Sequence, residues 1–195
     1  MNSQECVIPI HKPKTTEMLF FFACGIITSI PMATLARALI DPYLGNYAPI
    51  TAALISVAIF TPFIEEFSKI FPLYYRHGET QRSILNLAIM VGLGFALVEL
   101  LEYVVLLGTP ALFRLPGFFF HPASTAIAAY GIATKRPLIF YALAVALHFG
   151  NNLYSFAVST QILNPLPFSV TILVTGLTVL LAWIFYRRTT EKVIT

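Results

Sequence analysis

Residues 137–186 read PLIFYALAVALHFGNNLYSFAVSTQILNPLPFSVTILVTGLTVLLAWIFY, a stretch without a single Asp, Glu, Lys or Arg. A helix needs about 20 predominantly apolar residues to cross the hydrocarbon core of a bilayer. This run is long enough for two such helices, and the sequence Asn164-Pro165-Leu166-Pro167 divides it, because clustered turn-forming residues end helices. The stretch therefore predicts two membrane spans, at about 137–160 and 166–186.

The rest of the chain has the same character. Of its 195 residues 57% are apolar and 11% are charged, and the mean hydropathy is +0.79, whereas soluble domains carry about 25% charged residues. A net charge of only +3, without a basic stripe, argues against a nucleic-acid partner. Cys6 lies in a polar tail and Cys24 in an apolar run, so we expect no disulfide between them. The composition is that of a polytopic membrane protein.

Four more apolar segments precede residue 137. We predict further spans at about 18–40, 49–75, 83–107 and 115–134. The expected fold is an all-α polytopic membrane protein, a bundle of about six transmembrane helices in one domain, residues 1–195. A kink is expected at Pro31 in the first span.

The fourth segment is unusual because it contains Pro110, Pro116 and Pro122. A proline disfavours helical backbone in the residue before it. We therefore expect regular helix only from Pro122 onward and an irregular or re-entrant stretch over Thr109–His121, facing protein or a water-filled cavity.

Basic residues mark alternate loops and so predict the orientation of the chain. Lys and Arg are enriched in cytoplasmic loops. Here they precede the first span, lie at the second and fourth loops, and follow the last span. With six spans, both the N and the C terminus are predicted to be cytoplasmic. The residues concerned are Lys12, Lys14, Arg76, Arg82, Lys135, Arg136, Arg187, Arg188 and Lys192.

A few ionisable residues fall inside the predicted spans. At about 1.5 Å of rise per residue, they lie roughly 15 to 25 Å from the cytoplasmic surface. Each ionised side chain at such a depth costs about 2.5 to 3.5 kcal/mol on insertion scales, so we expect these groups to face one another or water. They are the candidate catalytic residues: Glu65, Glu66, Glu99, His121, His148 and, one helical turn after the last histidine, Asn152.

Four motifs carry these residues in order: Glu65-Glu66-x-x-Lys69, Gly92-x-Gly-Phe95-x-x-x-Glu99, His121-x-x-x-Thr125 and His148-x-x-x-Asn152. The set resembles that of the PrsW family of intramembrane proteases, in the wider group of CAAX prenyl endopeptidases and bacteriocin-processing or immunity proteins. The resemblance covers about residues 50–155 and implies hydrolysis of peptide bonds in membrane-anchored proteins, with a prokaryotic cell membrane as the expected location.

This chain departs from the pattern at two points. Leu100 stands where the family often has Asn. Glu99 stands where the CAAX-processing branch tends to have His, which argues against prenyl-protein processing.

The expected mechanism is attack by an activated water. Glu65 or Glu66 would remove its proton, Glu99 or His121 would assist, and His148 with Asn152 would stabilise the oxyanion. A divalent metal such as zinc is the other possibility, with Glu99, His121 and His148 as ligands; the absence of HExxH favours metal-free chemistry. Oligomeric state is left open.

Two functions from other classes are also compatible with these residues. Intramembrane Glu and His side chains form proton relays in transporters and channels. An immunity-type relative of the protease family that has lost catalysis would keep the same fold.

Overall fold

The structure is a computed structural model that describes residues 12–75, 80–159 and 168–194. Within these ranges the chain is almost entirely helical, and no strand longer than one isolated bridge is present, so the predicted all-α class is confirmed. Cys6, Arg76 and the Asn164–Pro167 break lie outside the described residues.

Six continuous helical segments occupy the described ranges. The first three include π-helical turns, in which the backbone hydrogen bonds span five residues. They run through Thr15–Cys24, Gly25–Ser29 and Ile30–Leu44 in the first; Pro49–Ala53, Leu54–Phe60 and Thr61–Tyr75 in the second; and Gln81–Leu101 and Glu102–Leu106 in the third. The fourth, fifth and sixth are Ala111–Ala133, Pro137–Ser159 and Ser169–Arg188.

Four of these segments are long and apolar enough to cross a membrane, which makes the protein an integral membrane protein. They are Thr15–Leu44, Pro49–Tyr74, Gln81–Leu106 and Ser169–Arg188. The fourth and fifth helices carry the two histidines of the candidate site and several small or polar residues. The count of six spans and the cytoplasmic location of both termini remain predictions.

The expectation of irregular backbone over Thr109–His121 is wrong. The fourth helix begins at Ala111, directly after Pro110, and continues through Pro116 and Pro122 to Ala133. A proline removes one backbone hydrogen bond from a helix, and tight packing against neighbouring helices tolerates that loss in membrane proteins. Here the third helix supplies the packing: a β-carbon added at Gly92 would lie only 2.5 Å from Cα of Pro122.

Glycines bring the first and third helices into backbone contact. A β-carbon at Gly25 would lie 2.1 Å from the Val91 carbonyl oxygen, and one at Gly94 would lie 2.1 Å from the Phe22 carbonyl oxygen. Small residues at helix interfaces allow such close approach in membranes. The third helix is thereby fixed between the first and the fourth, and it holds Glu99 opposite His121.

Candidate active site

Glu66 lies at the centre of a buried polar cluster. Its Oε1 accepts hydrogen bonds from Lys69 Nζ at 2.6 Å, from His148 Nδ1 at 2.8 Å and from Ser124 Oγ at 3.1 Å. Three helices supply these donors, and the side chains of Glu66 and Lys69 are completely buried. A buried carboxylate is stable only when it is paired and hydrogen-bonded, and here one oxygen receives three donors.

Lys69 links Glu66 to His121. Besides Glu66 it contacts Ser124 Oγ at 3.2 Å and His121 Nδ1 at 3.1 Å. An ammonium group has donors but no acceptor, so His121 Nδ1 must accept and the ring proton must be on Nε2. This nitrogen lies 2.6 Å from Glu99 Oε2 and donates to it. The side chains thus define the tautomer of His121.

His148 is oriented in the same way by Glu66. Because Glu66 is an acceptor, Nδ1 of His148 carries the proton that it donates, and the lone pair of Nε2 is free. This Nε2 lies 3.7 Å from Glu65 Oε2, too far for a direct hydrogen bond. The two imidazole rings are 5.4 Å apart, and Phe95 and Phe120 pack against them.

Glu65 and Glu66 are adjacent on the helix, so their side chains point about 100° apart. Glu65 therefore meets a different environment. Its side chain is 12% exposed, whereas that of Glu66 is 0% exposed. Oε2 of each carboxylate is buried without a hydrogen-bond partner in the described part of the chain, but only Glu65 lines a cavity.

That cavity has a volume of about 560 Å³ and is lined by both polar and apolar side chains. It is bounded by the two histidines, by four charged side chains and by two consecutive asparagines. The lining includes Arg37, Glu65, Glu99, Tyr103, Phe113, Arg114, His121, His148, Asn151, Asn152 and Phe168. The space is large enough to admit water and a segment of peptide, and it gives both access to the imidazoles.

Glu99 is held from its other side by Arg114. Nη2 of Arg114 donates to Glu99 Oε1 at 3.1 Å, and the guanidinium carbon lies 3.6 Å from the centre of the Tyr103 ring. Because Glu99 Oε2 is bonded to His121, both of its oxygens have partners. This makes Glu99 a fixed carboxylate beside the cavity.

Asn152 has a structural contact that the sequence did not indicate. Its Nδ2 donates to the Val57 carbonyl oxygen at 3.1 Å. That carbonyl lies in the π-helical turn Leu54–Phe60, where the Thr61 N–H reaches back to Ser56 O, and the following Pro62 has no N–H. Asn152 therefore satisfies a carbonyl that its own helix leaves open, while its second amide proton remains available at the cavity.

The structure brings together the residues selected from the sequence, and it adds others. Glu65, Glu99, His121, His148 and Asn152 line one cavity, with Glu66 directly behind it. The sequence analysis named Lys69 only as part of the first motif, and it selected neither Ser124 nor Arg114. A basic residue inside an apolar, proline-rich segment was the available signal for Arg114.

A metal ion fits part of this arrangement well. Ligand atoms of Glu65, His121 and His148 lie within 4.8 Å of one another, and two histidines with one carboxylate form a known catalytic zinc set. Glu65 Oε2 lacks a partner, and the Glu66 carboxylate orients His148 from behind, as is usual for a metal-bound histidine. Glu99, which the sequence analysis placed among the ligands, is hydrogen-bonded to His121 Nε2 and is not one of these three residues.

Comparison with known proteins gives one match. Residues 13–184 match the family described as PrsW family intramembrane metalloprotease. No curated protein and no solved structure matches the chain.

Proposed function

Since the chain belongs to the PrsW family of intramembrane metalloproteases, we propose that it is an endopeptidase that cleaves membrane-anchored proteins within the bilayer. The observation that carries the proposal is the position of Glu65. Its unpartnered Oε2 lies at a polar cavity, 3.7 Å from the free Nε2 of His148. Two proton acceptors thus face the same small volume.

In the proposed mechanism the attacking water is hydrogen-bonded to both of these acceptors. With hydrogen bonds of about 2.8 Å to each of two atoms 3.7 Å apart, it occupies the apex of a triangle. Both of its protons then point to Glu65 and His148, and its lone pair is directed into the cavity. Glu65 takes the proton as the water attacks the scissile carbonyl, and it returns this proton to the leaving nitrogen.

Glu66 has a positioning role in this mechanism. It is enclosed by Lys69, Ser124 and His148 and does not line the cavity. By accepting a hydrogen bond from the Nδ1–H of His148, Glu66 fixes the ring orientation and makes Nε2 a better base. Of the two carboxylates that the sequence left open, Glu65 is therefore the proposed general base.

The developing oxyanion needs a donor at the cavity. Asn152 uses one amide proton for Val57 O and presents the other. Each donor of this kind contributes about 10²- to 10³-fold to the rate in well-studied hydrolases.

A divalent metal such as zinc would be held by Glu65, His121 and His148, and Glu65 would then serve as a ligand instead of as the general base. When bound, it would polarise the scissile carbonyl and lower the pKa of a coordinated water. For His121 to serve as a ligand, its Nε2 must exchange its Glu99 contact for the metal.

A membrane-facing groove supports a membrane-anchored substrate. This groove, about 390 Å³, runs between the fourth and sixth helices and is almost wholly apolar. Phe168 lines both the groove and the polar cavity, and its ring packs edge-on against Phe113 at 5.3 Å. A transmembrane segment seated in the groove would thus lie directly beside the catalytic cavity.

The direct test is cleavage of a single-span substrate by the purified protein in liposomes. We expect product with the unchanged protein, none with Glu65→Gln and full activity with Glu102→Gln, which alters an exposed carboxylate that does not line the cavity. Metal analysis with a chelator titration accompanies the assay. Cleavage that persists in Glu65→Gln would refute the assignment of the base.

The chain of contacts from Glu66 through Lys69 and His121 to Glu99 favours proton transport as an alternative function. Such a chain is also suited to proton relay in a transporter. Proton flux into the same liposomes, without cleavage of any substrate, would support transport. Absence of both activities in a folded protein would support the immunity-type relative that has lost catalysis.

A further inference from the structure

Arg114 uses little of its hydrogen-bonding capacity. A guanidinium has five N–H donors, and the structure records one hydrogen bond, from Nη2 to Glu99 Oε1. Its Nε is buried and has no partner among the described residues. Unpaired buried donors are costly, so this arrangement calls for an acceptor that the protein itself does not provide.

The position of Arg114 is also unfavourable for its own helix. The residue lies in the first turn of Ala111–Ala133, where the helix dipole repels a positive charge. The guanidinium carbon lies over the Tyr103 ring, 3.6 Å from its centre, so this contact orients the side chain before any ligand arrives. A side chain held in one orientation loses less entropy when it binds a partner.

The charges of the cavity indicate the kind of partner. Two guanidinium groups, those of Arg37 and Arg114, line the cavity together with two carboxylates, those of Glu65 and Glu99. Glu99 is shared between Arg114 and His121, so it occupies only one nitrogen of the guanidinium. A carboxylate is the planar acceptor that matches the fork of an arginine.

We propose that Arg114, assisted by Arg37, is a specificity-determining residue that binds an Asp or Glu side chain of the substrate close to the scissile bond. The proposal rests on the protease function proposed above. Glu99 Oε1 lies 3.1 Å from Arg114, and Glu99 Oε2 lies 2.6 Å from His121. The bound carboxylate is therefore expected within a few residues of the bond that is cut.

A purely structural role for Arg114 makes a different prediction. If the arginine only neutralises Glu99, its loss impairs cleavage of every substrate equally. If it binds the substrate, its loss changes the ratio of rates between acidic and neutral substrates. Arg37 provides an independent check, because it lines the cavity but has no recorded contact with Glu99.

The experiment uses the full chain in nanodiscs and pairs of single-span substrates that differ only by Glu or Gln at one position near the cleavage site. We expect kcat/KM to favour the Glu substrate about 10-fold or more, mainly through KM, since hydrogen bonds to charged groups contribute about 1.5 to 3 kcal/mol. Arg114→Gln should bring this ratio close to one, Arg37→Gln should reduce it, and Arg187→Gln, at the opposite end of the sixth helix, should leave it unchanged.

A binding measurement separates this proposal from the proposed function. In the Glu65→Gln background, fluorescence anisotropy of labelled Glu and Gln peptides reports anchoring without catalysis. Preference for the Glu peptide that disappears in Glu65→Gln/Arg114→Gln supports the proposal even if no cleavage is found. Equal binding of both peptides, an unchanged ratio in Arg114→Gln, or Arg114-dependent binding of anionic lipid vesicles instead of peptide would overturn it.

Discussion

The two ring nitrogens of each histidine lie in contrasting regions. Both Nδ1 atoms enter a closed network, formed by Glu66, Lys69 and Ser124. Both Nε2 atoms face an open surface on the cavity side, formed by Glu65, Glu99, Arg114 and Asn152. The closed network is sealed from solvent, whereas the open surface lines the cavity. One side thus fixes the imidazoles and the other is free to do chemistry.

This division explains how charged groups are maintained inside a membrane protein. The closed network places Lys69 against Glu66, so that neither charge is isolated. Buried pairs of this kind contribute little net stability, but breaking one by removing a partner is costly. Atoms without a hydrogen-bond partner among the described residues occur in both regions: Glu66 Oε2 in the closed network, and Glu65 Oε2 and Arg114 Nε on the cavity side. Substitutions on the two sides should therefore have different consequences.

The largest effect is expected on the open surface. Glu65→Gln removes the proposed proton acceptor and should lower kcat by about 10²- to 10⁴-fold, the usual contribution of a general base. The folded state should be little affected, because the amide has nearly the same shape. Single-turnover cleavage together with thermal unfolding in detergent measures both properties. A Glu65→Gln variant that loses stability as well as activity would contradict the division into a closed network and an open surface.

Substitutions in the closed network should instead mainly reduce the stability of the fold. Lys69→Met leaves Glu66 and His121 Nδ1 without their shared donor, and we expect a loss of about 3 to 5 kcal/mol in the free energy of unfolding. The double variant Glu66→Gln/Lys69→Met removes both charges and should recover part of that loss. Equilibrium unfolding in mixed micelles provides the measurement. Equal stability of the single and double variants would show that the pair is not coupled.

Packing behind His121 should have a smaller effect. A β-carbon at Gly92 would lie 2.9 Å from the His121 carbonyl oxygen as well as 2.5 Å from Pro122 Cα. Gly92→Ala must therefore displace the fourth helix, at a cost of about 1 to 3 kcal/mol, and it should reduce activity by moving His121. Gly150→Ala is the matched control, because a β-carbon there meets nothing within 4 Å. Similar unfolding temperatures for the two variants would argue against this contact.

The smallest effect concerns the Val57 carbonyl. Asn152→Ala leaves it without the Nδ2 donor, at a cost of about 1 kcal/mol. Pro62→Ala restores an N–H near this carbonyl, so the double variant should lose less stability than the two single variants predict together. Activity should remain low in both Asn152 variants, because the oxyanion donor is absent. Additive stability changes would exclude the proposed relation between Pro62 and Asn152.

Much of the fold followed from the sequence alone. An apolar chain with few charges cannot be stable in water as a small domain. The composition therefore indicated that the chain lies in a membrane and that its fold is helical. The fourth helix was mispredicted because proline preferences are local, whereas the contact of Gly92 with Pro122 joins residues of different helices.

For the candidate site, the sequence by itself identified which side chains must avoid lipid, because an ionisable group in an apolar helix is costly unless it has a partner. Only the tertiary structure decided who the partners are. The different surroundings of Glu65 and Glu66, the tautomer of His121 and the location of Arg114 at the cavity depend on how helices are rotated and spaced. Adjacent residues on a helix differ by about 100° in direction, so packing sends one carboxylate into a sealed network and its neighbour to water.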